Sequence, residues 1–151
     1  MLLSRGVSKV VAVDVGYGQL AWELRNDPRV EVRERCNIRE LTPNDLAAPP
    51  ALVVADLSFI SLRTVLPALV SCAAADADLL LMVKPQFEVD RGQVGKGGIV
   101  RDPELHREVC DRMERWLGQQ HGWRVVGISP SPIEGADGNR EFLLCGRKDQ
   151  V

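Results

Sequence analysis

A chain of 151 residues is enough for one domain, and a domain of that size buries roughly 70% of the surface its unfolded form exposes, so neither a disulfide nor a metal is needed to hold it together. With 45% hydrophobic and 26% charged residues it is not a disordered chain, and a formal charge of −2 gives no overall basic field that would draw nucleic acid non-specifically. No apolar run reaches the ~18 residues of a membrane span, MLLSRGVSK lacks the order of a signal peptide, and Cys36, Cys72, Cys110 and Cys145 show no metal-ligand spacing; the reading is a cytoplasmic protein with reduced, structural thiols, no membrane contact and no metal.

In chain order, Val10–Val13 is the first strand-like run, and Gly16 and Gly18 follow Asp14 at once in VVAVDVGYGQL. Residues 18–25 read as a helix through Leu20 and Leu24, closed by Asp27-Pro28. Strands are expected at 30–32 and Leu52–Ala55, then a helix over 61–73 with Leu62, Val65, Leu66 and Leu69 on one face, then a strand at 79–83. These strand runs are apolar without strict alternation, the pattern of parallel strands covered on both faces. The best-marked helix opens with Asp102 as N-cap and Pro103 at the first helical position, and runs over 102–121 through Leu105, Val109, Met113, Trp116 and Leu117. Runs at 125–128 and 142–145 are joined by a connection too short for a crossover helix, so they should pair antiparallel. Alternating strands and helices predict one α/β domain on a mostly parallel sheet with an antiparallel C-terminal strand. His106 and His121 read as structural or surface residues, and Trp22, Trp116 and Trp123 as core or partly exposed packing residues.

Residues 85–101 follow neither period; a loop of that length is usually functional or disordered, and its place straight after a buried strand favours function. GQVGKGG within it is not a phosphate loop, because G-x-x-x-x-G-K-[ST] must open a helix. What remains is a flexible loop whose Arg91, Lys96 and Arg101 are candidates for contact with a substrate phosphate.

Ligands of open α/β sheets bind beyond the carboxyl ends of the strands. Asp14, Asp56 and Lys84 all stand there, each directly after an apolar run, where an unpaired charge is costly. If the strands ending at Asp56 and Lys84 are parallel neighbours, their ends lie about 5 Å apart and the two side chains can meet. Asp56 alone is equally a helix cap or a loop ion pair. Pro85 holds Lys84 extended and turns the chain away from the sheet, and a lysine so placed can act as a base or orient a hydroxyl. A dinucleotide-dependent oxidoreductase is a rival reading: it needs an acidic residue about 20 positions on, and Glu34 stands at that distance from Asp14. It leaves VKPQF and GNREF unexplained.

DVGYGQLAW, ADLSFISL, VKPQFEVDRGQVGKGGIVRDP and GNREFLL, in this order and spacing, resemble the TlyA, or hemolysin A, family of ribosomal RNA 2′-O-methyltransferases, whose catalytic domain is of the FtsJ type. The similarity covers essentially the whole chain. The resemblance implies a Rossmann-like methyltransferase sheet, S-adenosylmethionine as cofactor, and ribosomal RNA or a ribosomal subunit as partner. It also implies a Lys-Asp-Lys-Glu catalytic set at the ribose, with its Asp at Asp56, its second Lys at Lys84 and its Glu at Glu141. In that set Lys84 acts on the 2′-hydroxyl while Asp56 and Glu141 set its charge state and position. Asp14, Asn37 and Asp56 fall on cofactor-facing positions, Asp14 at the ribose hydroxyls and Asn37 near the adenine.

Members of the family begin with an S4-like RNA-binding domain, followed by a strand and a D-V-G-x-S-T-G-G-F turn that cradles the methionine half of the cofactor; the first catalytic lysine also lies upstream. None of these is matched here, so the chain reads as a partial catalytic domain that lacks the first βα unit and the S4 domain. The missing strand would lie between those ending at Asp14 and Asp56, leaving edges free to pair with another copy. A non-catalytic remnant that binds RNA or a partner through residues 85–101 is the alternative on that footing. A membrane-active hemolysin is not supported, because Arg107, Glu108, Asp111, Arg112, Glu114 and Arg115 give the helix after Asp102 a mixed polar face.

Overall fold

Six strands and three α-helices form among residues 1–135 and 138–149, the residues that the computed structural model describes. In order they are β1 (Val10–Val13), α1 (Trp22–Arg25), β2 (Val30–Arg33), β3 (Leu52–Ala55), α2 (Leu62–Cys72), β4 (Asp78–Val83), α3 (Pro103–Gly118), β5 (Trp123–Pro130) and β6 (Phe142–Lys148). The connection between β5 and β6 includes Ala136 and Asp137, which lie outside the described residues.

The strands divide into a parallel pair, β1–β2, and a sheet of order β3-β4-β6-β5. Within the larger sheet β3 and β4 are parallel, and β6 runs antiparallel to both of its neighbours, β4 and β5. So β3, β4 and β5 share one direction and the last strand alone opposes them, as the short connection before it predicts. The two sheets are not hydrogen-bonded to each other: among the described residues β1 and β3 are each paired along one edge only.

One core joins the larger sheet to the two long helices. Leu62, Val65, Leu66 and Leu69 of α2 and Val109, Met113 and Leu117 of α3 pack with Val53, Ala55, Leu79, Leu81, Val83, Trp123 and Leu144. Each fully buried side chain of this size is worth about 1.5–3 kcal/mol. The β1–β2 pair adds no residue to that core; it is tied in through the 3₁₀ turn Ile38–Glu40, which packs against α2. All four cysteines are free, and burial pushes the Cys110 thiol up to about 11.

Several boundaries differ from expectation for local reasons. The first helix shrinks to Trp22–Arg25 because Gly18 adopts φ +71° and Ala21 is extended. It is too short to bury a face, and Trp22, expected to pack, is 72% exposed. β3 is not covered on both faces: Val53 and Ala55 are buried while Leu52 and Val54 are exposed, the alternation of a half-covered strand. α3 ends at Gly118, short of His121, and Gly122 turns the chain into β5. The long loop 85–101 contains two 3₁₀ turns, Pro85–Phe87 and Arg91–Gln93.

Helix α3 approaches β6 closely at Gly146, where a Cβ would lie 2.6 Å from Leu117 Cδ2, and Leu117 is fully buried with no space to yield. Gly146→Ala is therefore expected to lower the stability of the fold by about 1–3 kcal/mol, read from the midpoint of urea unfolding.

Candidate active site

Asp56, Lys84 and Glu141 arrive at one place for a topological reason. Parallel pairing sets the end of β3, and hence Asp56, beside the end of β4 that leads to Lys84. β6 then enters antiparallel with Phe142 opposite Val83, which brings Glu141, one residue earlier, level with Lys84, one residue later. The meeting of Asp56 and Lys84 inferred from the sequence is thus present in the structure, and Glu141 joins it from the far end of the chain.

Lys84 Nζ lies 2.7 Å from Asp56 Oδ1 and 3.9 Å from Glu141 Oε1, and donates a hydrogen bond to Ser58 Oγ at 3.2 Å. The Lys84 and Glu141 side chains are 13% and 10% exposed, whereas Asp56 is 65% exposed. The amine is therefore walled by acceptors and open on one side, beyond the carboxyl ends of the strands. Such a group can hold a hydroxyl or exchange a proton with it.

Glu141 is seated on a backbone cradle. Its carboxyl lies against Gly135, where a Cβ would stand 2.7 Å from Glu141 Cδ, so an alanine there would push the carboxylate aside. Gly135 N–H donates to Asn139 O at 2.8 Å and Ser131 N–H donates to Glu141 O at 2.8 Å, which fixes the turn around it. Asn139, 4% exposed, accepts from Val100 N–H at 3.1 Å and donates to Gly98 O at 3.0 Å. His106 Nε2 is 2.7 Å from Val100 O. The GNRE segment and the end of the 85–101 loop are thereby one unit.

The loop cations are exposed along that unit. Arg101 donates to Lys96 O at 3.5 Å, and none of Arg91, Lys96 and Arg101 shares a hydrogen bond or ion pair with Lys84, Asp56 or Glu141. A cleft of about 350 Å³ lies beside them, lined by Val100, Arg101, His106, Glu134 and Arg140 among others.

Asp14 and Asn37 sit apart from this cluster, at the ends of β1 and β2. Parallel pairing continues past the strands, with Asp14 N–H donating to Arg33 O and Cys36 N–H to Asp14 O, each at 3.0 Å. Asp14 Oδ1 accepts from Gly16 N–H at 2.6 Å, and its carboxylate is on the surface. Asn37 Oδ1 caps the turn Ile38–Glu40 by accepting from Arg39 N–H at 3.1 Å. Glu34, the acidic residue of the oxidoreductase reading, is already engaged: it accepts from Gly18 N–H at 2.8 Å and from Arg25. The Arg25 guanidinium first, and then the Gly18 N–H, hold its carboxyl below the usual carboxylate range. Glu34 thus pins the glycine turn, leaving Asp14 as the exposed carboxylate at the end of β1. An exposed acceptor there fits the hydroxyls of a nucleoside, with Asn37 a short step along the same edge.

Sequence reasoning overlooked Ser58, Gly135 and Asn139 at the site, and weighed Glu34 only as the acidic residue of an oxidoreductase. Ser58 and Asn139 lie inside quoted motifs and Gly135 stands three residues before one. Their contacts are made across the fold and leave no periodicity in the sequence.

A family model described as FtsJ-like methyltransferase matches residues 1–148. The 16S/23S rRNA (cytidine-2′-O)-methyltransferase TlyA of Mycobacterium tuberculosis is 59% identical over 144 residues, which are 95% of this chain and 53% of that protein. Hemolysin A of Brachyspira hyodysenteriae is 38% identical over 145 residues, 94% of this chain and 59% of its own length. A solved Streptococcus thermophilus chain named as a hemolysin superposes with a TM-score of 0.93 at 40% identity, over 99% of this chain and 54% of that one. Solved methyltransferases only 13% and 15% identical share the fold alone, at TM-scores of 0.60 and 0.56. The chain spans about half the length of the curated relatives it matches. With its Rossmann-like architecture and a match that runs over nearly its whole length, the chain belongs to the FtsJ-like methyltransferase family.

Proposed function

We propose that this chain serves the 2′-O-methylation of ribose in ribosomal RNA, with S-adenosylmethionine as methyl donor. The observation that carries the reading is the seating of Lys84 between Asp56 at 2.7 Å and Glu141 at 3.9 Å, at the open end of the sheet. Its relatives support the substrate: the TlyA protein at 59% identity is named for methylation of cytidine 2′-oxygens in ribosomal RNA.

A ribose hydroxyl is a weak acid and a poor nucleophile, so its attack depends on placement and on relief of its proton. Bound S-adenosylmethionine supplies an electrophilic methyl group on a sulfonium sulfur. Asp14 would hold the cofactor's ribose hydroxyls, Asn37 would face its adenine, and Asp56 would border it on the side of the reaction. The Lys84 ammonium paired with Asp56 would first cede a proton to solvent; the neutral amine would then receive the substrate hydroxyl on the side left open by its neighbours and take up its proton as the oxygen attacks. Asp56 and Glu141 stabilise the ammonium that results, and Ser58 fixes the direction of the amine. Arg91, Lys96 and Arg101, with the cleft that Arg101 and Arg140 line, are the surface on which flanking RNA phosphates rest. The work belongs in the cytoplasm, where the ribosome is; among the described residues no helix is long and apolar enough to cross a membrane.

Two single changes separate the roles. Lys84→Ala is expected to lower transfer of labelled methyl to ribosomal RNA by about 10²–10⁴-fold, the usual worth of an acid–base group, with cofactor affinity by calorimetry nearly unchanged. Asp14→Ala is expected to weaken cofactor binding about ten-fold, as loss of a hydrogen bond to a charged acceptor does, and to spare the rate at saturating cofactor. Undiminished transfer by Lys84→Ala would overturn the assignment. A third change tests the cradle: Gly135→Ala displaces Glu141 and should cost about 10²-fold in turnover through misplacement, with the unfolding midpoint close to that of the unaltered protein.

A further inference from the structure

Two loops carry Asp56, Ser58 and Lys84, residues 56–61 after β3 and 84–89 after β4, and each is joined to the other at both ends. At one end Lys84 grips Asp56 and Ser58. At the other end Glu88 grips the start of α2: its Oε2 accepts from Ser61 Oγ at 2.7 Å and its Oε1 accepts from Leu62 N–H at 2.6 Å, with Arg63 Nε 3.9 Å away. The Glu88 side chain is 1% exposed. Its own backbone is held too, by Arg112 of α3 donating to Glu88 O at 2.6 Å. A tight turn links the two grips, with Phe87 N–H donating to Lys84 O at 2.9 Å and Glu88 N–H to Pro85 O at 3.0 Å.

The loop between the grips is under tension. Phe59 has φ +63°, an uncommon conformation for a bulky residue, and its ring meets Phe87 of the opposite loop at 5.2 Å between centroids. Such a conformation persists only where its surroundings over-determine it. Here those surroundings are the Lys84 contacts on one side and the Glu88 contacts on the other. Release of either anchor lets the loop relax, and with it the contact between Asp56 and Lys84.

We propose that Glu88 is a positioning residue for methyl transfer: it keeps Asp56 and Ser58 against Lys84 by clamping the entry of α2 to the turn that Lys84 begins. The claim rests on the reading of Lys84 given above, so its test has one readout that needs no turnover. Acetylation of Lys84 relative to Lys9 is followed by mass spectrometry on the 151-residue protein without cofactor or RNA, for Glu88→Ala, Glu88→Gln and Ser61→Ala. Glu88→Ala is expected to raise the relative labelling of Lys84 about five-fold through local opening. Ser61→Ala should raise it less. Glu88→Gln, whose amide can still accept from Leu62 and donate to Ser61, should stay near the unaltered protein.

In methyl transfer, Glu88→Ala should lower kcat about ten-fold or more while KM for the cofactor holds, since an ångström of misplacement is worth up to about 10²-fold. Glu88→Gln should recover most of the loss. Unchanged Lys84 labelling in a folded Glu88→Ala protein would overturn the proposal, as would a Glu88→Gln protein as labile as Glu88→Ala. If every lysine of Glu88→Ala labels faster, the fold has opened generally, and Ser61→Ala decides: a selective rise at Lys84 supports the clamp and no rise refutes it. Absence of methyl transfer by the unaltered protein would count against the function and leave the labelling result standing.

Discussion

A cation at the end of a buried strand has to be compensated, and the compensation of Lys84 organises this molecule. Left unpaired with its side chain only 13% exposed, the amine would cost several kcal/mol. Its partners come from a parallel neighbour through Asp56 and Ser58 and from an antiparallel one through Glu141. Both pairings therefore have to be in register before the charge is satisfied. A slip of one residue in β6 would turn Glu141 to the opposite face and bring Arg140 or Phe142 to the amine instead. The chemistry and the sheet's alignment are fixed by the same contacts.

Much of this was legible in the sequence, because it depends on short-range rules. Charges directly after apolar runs marked the carboxyl edge, Asp102 and Pro103 marked the start of α3, and the brief connection before Phe142 marked an antiparallel strand. What was hidden is what depends on distant contact. Glu88 lies in a stretch with no secondary-structure signal, and its partners Ser61 and Leu62 are 27 and 26 residues away. Gly135 looked like any loop glycine until Glu141 was placed over it. The first helix was overestimated because Leu20 and Leu24 keep helical spacing while Gly18 and Ala21 adopt non-helical backbone angles.

The two candidate regions have different mechanical characters. Asp14, Glu34 and Asn37 belong to the β1–β2 pair, which buries no residue of the main core and rests on α2 through the turn Ile38–Glu40. Asp56, Lys84 and Glu141 belong to the larger sheet, whose strands are backed by fully buried Leu66, Leu79, Leu81 and Leu144. In the proposed reading, the residues for the cofactor's nucleoside end, Asp14 and Asn37, thus stand on the lighter unit, and the proposed reacting residues stand on the larger one. On that reading the nucleoside end would adjust to its ligand while the amine proposed to meet the ribose stays fixed. Holding catalytic groups on the stiffer element favours the near-attack geometry that transfer to a hydroxyl requires.

The place of β6 bears on the order of assembly. It follows every strand it joins in the chain, yet it sits inside the sheet, between β4 and β5. While a nascent chain is still without it, β4 and β5 each have an open hydrogen-bonding edge and Lys84 has only one of its two carboxylate partners. During that interval the half-made sheet is sticky. Pairing of Leu80 with Cys145 and Val83 with Phe142 joins segments about sixty residues apart, so closure is a late, slow event. A cell making this protein thus exposes an incomplete sheet until Phe142–Lys148 emerges, and the reacting cluster becomes whole at the moment the hazard ends.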